Sequence, residues 1–182
     1  MLQSQPLAET LAAASTIVAR VIVGRSLGAA LAEYSDAGSA RPDPCAVLTF
    51  DDGTADFADD VLAVLDEFDL PATVYVATEP VVTCERWPDG ATPLSKAALA
   101  EVASHPLVTI GCHTHAHLLL DREPASVVEA DLDRSIELLA ELTGRGAEHF
   151  AYPKALAPSA ENDALIRERF ASAAVAGTRP NR

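Results

Sequence analysis

From Ala46 onward, short apolar runs alternate with longer stretches in which apolar positions recur every three or four residues. Ala46 to Phe50, with Val47 and Phe50, reads as a first strand. Phe57, Val61, Val64, Leu65 and Phe68 then keep one helical face apolar. Ala72 to Ala77 is a second strand, Ser95 caps a short helix, and Leu107 to Cys112 is a third strand. Pro124 opens a helix carrying Val128, Leu132, Ile136, Leu139 and Leu142, which Gly144 ends. A fourth strand around Phe150, a helix from Ser159 to Phe170 and a fifth strand over Ala173 to Ala176 complete the pattern.

Alternating apolar strands and amphipathic helices predict parallel βαβ units, hence an α/β barrel or doubly wound sheet and not a sandwich or bundle. Five strands are too few to close a barrel of the eight-stranded kind, so the sheet is expected to be open or the barrel incomplete. Upstream, Leu11, Ala14, Val18, Val21 and Ile22 recur at helical spacing and predict one amphipathic helix over the first thirty residues. The Ser-, Asp-, Gly- and Pro-rich segment Ser35 to Pro44 reads as a linker. The expected organisation is a helix and linker over residues 1–44 and an α/β domain over 45–182.

Composition narrows the range of partners. With 13 Lys and Arg against 27 Asp and Glu, the net charge is −14, which argues against nucleic acid and anionic membrane as partners. Glu9, Arg20 and Arg25 interrupt the alanine-rich start, so no membrane span is expected, and the first residues lack the basic stretch of a secretory signal. Cys45, Cys84 and Cys112 form no CxxC pair and no disulfide framework. A cytoplasmic location is the resulting expectation. Oligomeric state is left open.

In parallel α/β folds the site lies at the carboxyl ends of the strands. Strand one runs into Asp51-Asp52-Gly53-Thr54, strand three into His113-Thr114-His115-Ala116-His117, and strand four into Tyr152-Pro153-Lys154. Adjacent side chains on an extended segment point to opposite sides, so one aspartate can bind an ion while the other faces substrate or water. Taken alone, the pair reads equally well as turn and cap residues. Three imidazoles within five residues point more firmly to a metal; His113 and His117 share a face if the chain turns helically, and all three do if it stays extended. One carboxylate and two imidazoles leave open coordination positions, the pattern of a catalytic metal, with the second aspartate as base for a water. His105, which precedes a proline, reads as a loop residue. Trp87, a lone aromatic in the irregular stretch Val82 to Pro93, is able to line a sugar site by stacking, but such a residue more often packs locally, and it is left outside the predicted site.

Thr49-Phe50-Asp51-Asp52-Gly53 and His113-Thr114-His115-Ala116-His117 resemble the TFDDG and H-[S/T]-x-x-H motifs of the polysaccharide deacetylases, carbohydrate esterase family four. The resemblance covers about Ala46 to the C-terminus. It implies a distorted relative of the (β/α) barrel with about seven strands, incomplete here, and hydrolysis of acetamido groups on an N-acetylated glycan. It further implies a divalent metal, zinc or else Co2+, Mn2+ or Ni2+. Carried over, Asp51 is the general base, and Asp52, His113 and His117 are the metal ligands. Phe150-Ala151-Tyr152-Pro153-Lys154 resembles the third motif, placing a backbone N–H near Lys154 at the oxyanion.

Two departures stand out. The arginine that orients the base in many members is replaced by Ala151, and no histidine follows His149 to act as catalytic acid. The tail stops just after the fifth strand, so the last units of fold and site are expected to be missing. Two further readings follow: a metal- and glycan-binding remnant without turnover, and a metal-dependent phosphohydrolase. The phosphohydrolase spacing D-x-D-G-T would require Asp where Phe50 stands.

Overall fold

A computed structural model describes residues 23–36 and 45–175. A two-residue strand β1 (Val23–Gly24) pairs in parallel with β2 (Cys45–Ala46), and helix α1 (Leu27–Asp36) follows β1. The remaining elements are β3 (Leu48–Phe50), a π-helical turn over Phe57–Val61 running into α2 (Leu62–Phe68), β4 (Ala72–Val76), α3 (Thr78–Thr83), α4 (Lys96–Ser104) and β5 (Val108–Cys112). Then come α5 (Ala125–Thr143), β6 (His149–Ala151), a 3-10 turn over Pro153–Ala155, α6 (Ala160–Arg169) and β7 (Ser172–Ala174).

Strands β3 to β7 form one parallel sheet in chain order, curled into an open half-barrel. Sequential order with every pair parallel requires a crossover between neighbours, and the helices supply it. Strand β4 is buried along its whole length, as expected where a parallel strand is covered on both faces. The helices lay Leu65, Leu99, Val102, Leu132, Leu139 and Ile166 into a core that also includes Val74, Val76 and Phe150. Local signals hold at the helix ends. Ser95 Oγ accepts from the Ala98 amide at 3.1 Å and Ser159 Oγ from the Asn162 amide at 3.2 Å, while Gly144 ends α5 in the left-handed region at φ 71°.

The half-barrel and its five-stranded parallel sheet bear out the predicted fold class. The N-terminal expectation needs correction. Residues 1–22 lie outside the described residues, but a single helix through residue 30 is contradicted at Val23–Gly24, which are extended and bonded to β2. The β-branched run Val21-Ile22-Val23 fits helical spacing and strand equally well, and a pairing partner more than twenty residues away decides the matter. Helix α1 also runs two residues into the expected linker, whose positions 37–44 lie outside the described residues. A short helix, α3, reaches two residues into the stretch expected to be irregular. Among the described residues, no helix is long and apolar enough to cross a membrane.

Gly111 marks a close approach between neighbouring strands. A Cβ there would lie 2.4 and 2.7 Å from the Tyr75 ring and 3.0 Å from the His149 carbonyl oxygen, whereas a Cβ on Gly144 would meet nothing within 4 Å. Gly111→Ala is expected to cost about 1–3 kcal/mol through overpacking, and Gly144→Ala about 1 kcal/mol for its left-handed backbone alone. Urea unfolding of both variants checks this; equal costs would contradict the packing assignment.

Candidate metal centre

Three strand ends build the site. Past β3, Asp52 and Gly53 both adopt left-handed backbone, at φ 73° and 75°, which turns the chain sharply upward from the sheet. Glycine is needed at position 53 on two counts: its φ, and a Cβ that would stand 3.0 Å from Val76 Cγ1. The turn is fixed by the Gly53 amide donating to the Asp51 carbonyl at 2.9 Å and the Leu94 amide donating to the Gly53 carbonyl at 2.9 Å. Past β5, the His113 amide still donates to the Val76 carbonyl at 3.0 Å, so His113 is placed as rigidly as a strand residue. The chain then turns through Thr114 and His117, left-handed at φ 68° and 52°. Past β6, Lys154 and Ala155 are left-handed as well, at φ 56° and 57°. Five non-glycine residues in this costly region crowd one rim, a distribution found at functional sites.

The turns bring Asp52, His113 and His117 together. One donor atom from each lies within 4.8 Å of the others. His113 Nε2 is 3.5 Å and His117 Nε2 3.4 Å from Asp52 Oδ1. The tautomer of His113 follows from its other nitrogen. Nδ1 sits 2.8 Å from the Ala151 carbonyl oxygen and must donate to it, which leaves the Nε2 lone pair facing Asp52. An imidazole lone pair and a carboxylate oxygen this close repel each other unless a proton or a cation lies between them. The donor set therefore fits a divalent cation with open coordination positions.

Electrostatics agree. The Asp52 carboxyl is held below the usual range, chiefly by hydrogen bonding to the facing His113 imidazole, where in the metal-free protein a proton stands in for the cation, and further by His117 and Lys154. His117 is pushed down to about 4, first by burial and then by the neighbouring His113, so its ring is neutral at physiological pH. Asp51 moves the other way. The protein around its carboxyl raises its proton affinity, the Asp52 charge adds to this, and His113 opposes it. Among the described residues no side chain hydrogen-bonds the Asp51 carboxylate; Ala151, standing where an arginine was expected from the resemblance, contributes only its carbonyl to His113.

The predicted residues fall into two groups. Asp51, Asp52, His113, His117 and Lys154 share the rim, whereas His115 turns away, its Nδ1 2.8 Å from Thr78 Oγ1. His149 sits lower on β6 with Nδ1 against Ser172 Oγ at 3.0 Å, and His105 pairs with Asp66 at 3.1 Å. In the turn after β6, the Ala155 amide donates to the Tyr152 carbonyl at 3.1 Å and the Leu156 amide to the Pro153 carbonyl at 3.3 Å. The Lys154 amide is not among the backbone donors of that turn.

Trp87, set aside in the sequence reading, does not merely pack locally. Its ring meets His117 edge-on, with centroids 5.2 Å apart and planes at 86°, so it walls the site. Asp131 and Ser135 of α5 were also missed. A signal existed for Ser135, which occupies a buried position on the stripe Val128, Leu132 and Leu139, where an apolar residue would be expected.

The fold is an α/β half-barrel whose strand ends bring one carboxylate and two imidazoles together. The polysaccharide deacetylase family model matches residues 38–168, and the chain belongs to that family. Among solved structures, the BpsB deacetylase domain from Bordetella bronchiseptica superposes with a TM-score of 0.72 at 22% identity, covering 92% of this chain and 75% of that one. IcaB from Ammonifex degensii gives 0.76 at 19% identity, covering 90% and 72%. A de-N-acetylase from Aggregatibacter actinomycetemcomitans gives 0.76 at 17% identity, covering 98% and 82%. At these identities the likeness shows the fold. A search of curated proteins finds no match.

The depressed His117 has a measurable consequence in metal-free protein. Its folded value of about 4 lies below the ordinary 6.5, so the unfolded chain binds more protons between those values. The stability conferred by neutral His117 is therefore complete above about pH 6.5 and lost as pH falls toward 4. Proton NMR should show His117 titrating near the lower value, and His117→Gln should flatten the stability slope in that window. A ring titrating near 6.5 would contradict the buried environment.

Proposed function

We propose that this chain is a metal-dependent hydrolase that removes acetyl groups from N-acetylated sugar residues of a glycan. The observation that carries the reading is the convergence of Asp52, His113 and His117 at one rim, with Asp51 adjacent in sequence and its proton affinity raised. Asp52 Oδ1 and the Nε2 atoms of His113 and His117 would hold the divalent ion, most simply zinc. When bound, such an ion polarises an acetamido carbonyl and acidifies water.

The chain's own groups supply the rest. Asp51 takes the proton of the attacking water. Its raised proton affinity suits that task, since a base is most effective when its pKa approaches the working pH. The Lys154 N–H, which is not among the backbone donors of its turn, stabilises the oxygen on which negative charge grows. As the C–N bond breaks, the proton taken up by Asp51 passes to the leaving amine. Acetate and a free amino sugar are the products. Trp87 gives the site an apolar wall against which a sugar ring can pack.

The test is acetate release from N-acetylglucosamine oligomers. Release is expected with Zn2+ or Co2+, to vanish with chelator and return with added metal, and to fall about 100- to 10,000-fold in Asp51→Asn. Release untouched by chelation, or by that substitution, would overturn the reading. Hydrolysis of a generic phosphate ester in preference to the acetamide would favour the phosphohydrolase alternative.

A further inference from the structure

The five-residue segment that presents His113 and His117 is held from outside by a single acidic side chain. Asp131, on α5, accepts the His115 amide on Oδ1 at 2.7 Å and the Ala116 amide on Oδ2 at 2.9 Å. These are two of the three amides between the two imidazoles, and both carboxylate oxygens are used. One turn along the same helix, Ser135 Oγ donates to the Thr114 carbonyl at 3.1 Å and receives the Cys112 thiol at 3.3 Å. On the other side, the amides of Thr78 and Glu79 at the start of α3 donate to the Thr114 and His115 carbonyls at 3.3 and 2.9 Å. Within the segment, Thr114 Oγ1 accepts the Leu118 amide at 3.1 Å.

This grip meets a conformational need. Thr114 and His117 are both left-handed, and a free chain would relax out of that geometry. Relaxation would swing His117 away from His113, whose place is fixed by strand pairing and by the Ala151 carbonyl. Two charge-assisted hydrogen bonds from one carboxylate are among the stronger polar interactions available to oppose it, and removing the acceptor strands two partly buried amides. Resting on the metal reading above, we infer that Asp131 is a positioning residue that sets metal affinity by locking the His113–His117 turn before a cation arrives. It touches neither metal nor substrate. Its contribution is to meet in the folded protein an ordering cost that would otherwise be subtracted from binding.

The experiment compares wild type, Asp131→Ala, Asp131→Asn and Asp131→Glu, with exposed Glu137→Ala on the same helix as control, in Co2+ titrations followed by visible absorption and calorimetry. Asp131→Ala is expected to weaken Co2+ binding about 10- to 100-fold, the range for loss of a group that orients a metal ligand. Asp131→Asn, which keeps one acceptor, should fall between, and Asp131→Glu should recover most of the loss. Glu137→Ala should bind as wild type. Wild-type uptake reports on the metal reading, and the variant-to-wild-type ratio on Asp131, so the two can fail separately. Hydrogen exchange of metal-free Asp131→Asn gives an independent readout: the amides of His115 and Ala116 should exchange faster while the rest of α5 keeps its protection. Unchanged Co2+ affinity in folded Asp131→Ala, or unchanged exchange at those amides, would overturn the proposal.

Discussion

The structure turns on one constraint: two imidazoles four residues apart must face a carboxylate that lies more than sixty residues earlier in the chain. A strand cannot do this, because residues four apart share a face but lie about 13 Å apart along it, too far for both rings to meet one carboxylate oxygen. The solution is a tight turn with left-handed backbone at its second and fifth positions, Thr114 and His117, reinforced from two helices. Each left-handed residue is a local cost, and every polar group around the turn offsets part of it. The site is thus a strained loop held by a rigid scaffold, with helix α5 contributing a carboxylate and a hydroxyl to the scaffold's grip.

The scaffold depends on close approach in the sheet. Strand β4 runs between the two strands that carry the ligands, paired with β3 on one side and β5 on the other, and its residues set the spacing. Val76 leaves room for only a glycine at position 53, and Tyr75 for only a glycine at 111. Both glycines matter for what faces them, and only Gly53 also for its backbone angle. Small shifts in β4 would therefore reach Asp52 and His113 together, which links core packing to the donor geometry.

Much of this was legible in the sequence, and the misses have physical reasons. The strands were readable because each short apolar run ends abruptly in polar residues, and the strand-end rule then collected Asp51, Asp52, His113, His117 and Lys154 onto one rim. Val23–Gly24 was misread because three β-branched or apolar residues in a row satisfy either periodicity, and its pairing with Cys45–Ala46 is nonlocal. Helix α3 escaped notice because a six-residue element rich in threonine and valine has little propensity of its own; the carbonyls of Thr114 and His115 hold its first amides. Trp87 was set aside because its partner His117 is thirty residues away in sequence. Asp131 looked like one of many surface acids on α5, and only the folded turn shows where its oxygens go.

The excess of acidic residues bears on the site through its sign. A net charge of −14 creates a field that raises the local concentration of cations and lowers that of anions around the whole surface. A divalent ion approaching the rim is drawn in, and an uncharged acetamido sugar is neither attracted nor repelled. Lys154 tempers this field locally, since its charge acts on both Asp52 and His117. On the proposed function, the acidic surface would favour metal capture, and an acetate ion leaving after hydrolysis would meet outward repulsion from the protein at large. Retention of that cation would then fall to the three donor atoms and to the turn that keeps two of them in place.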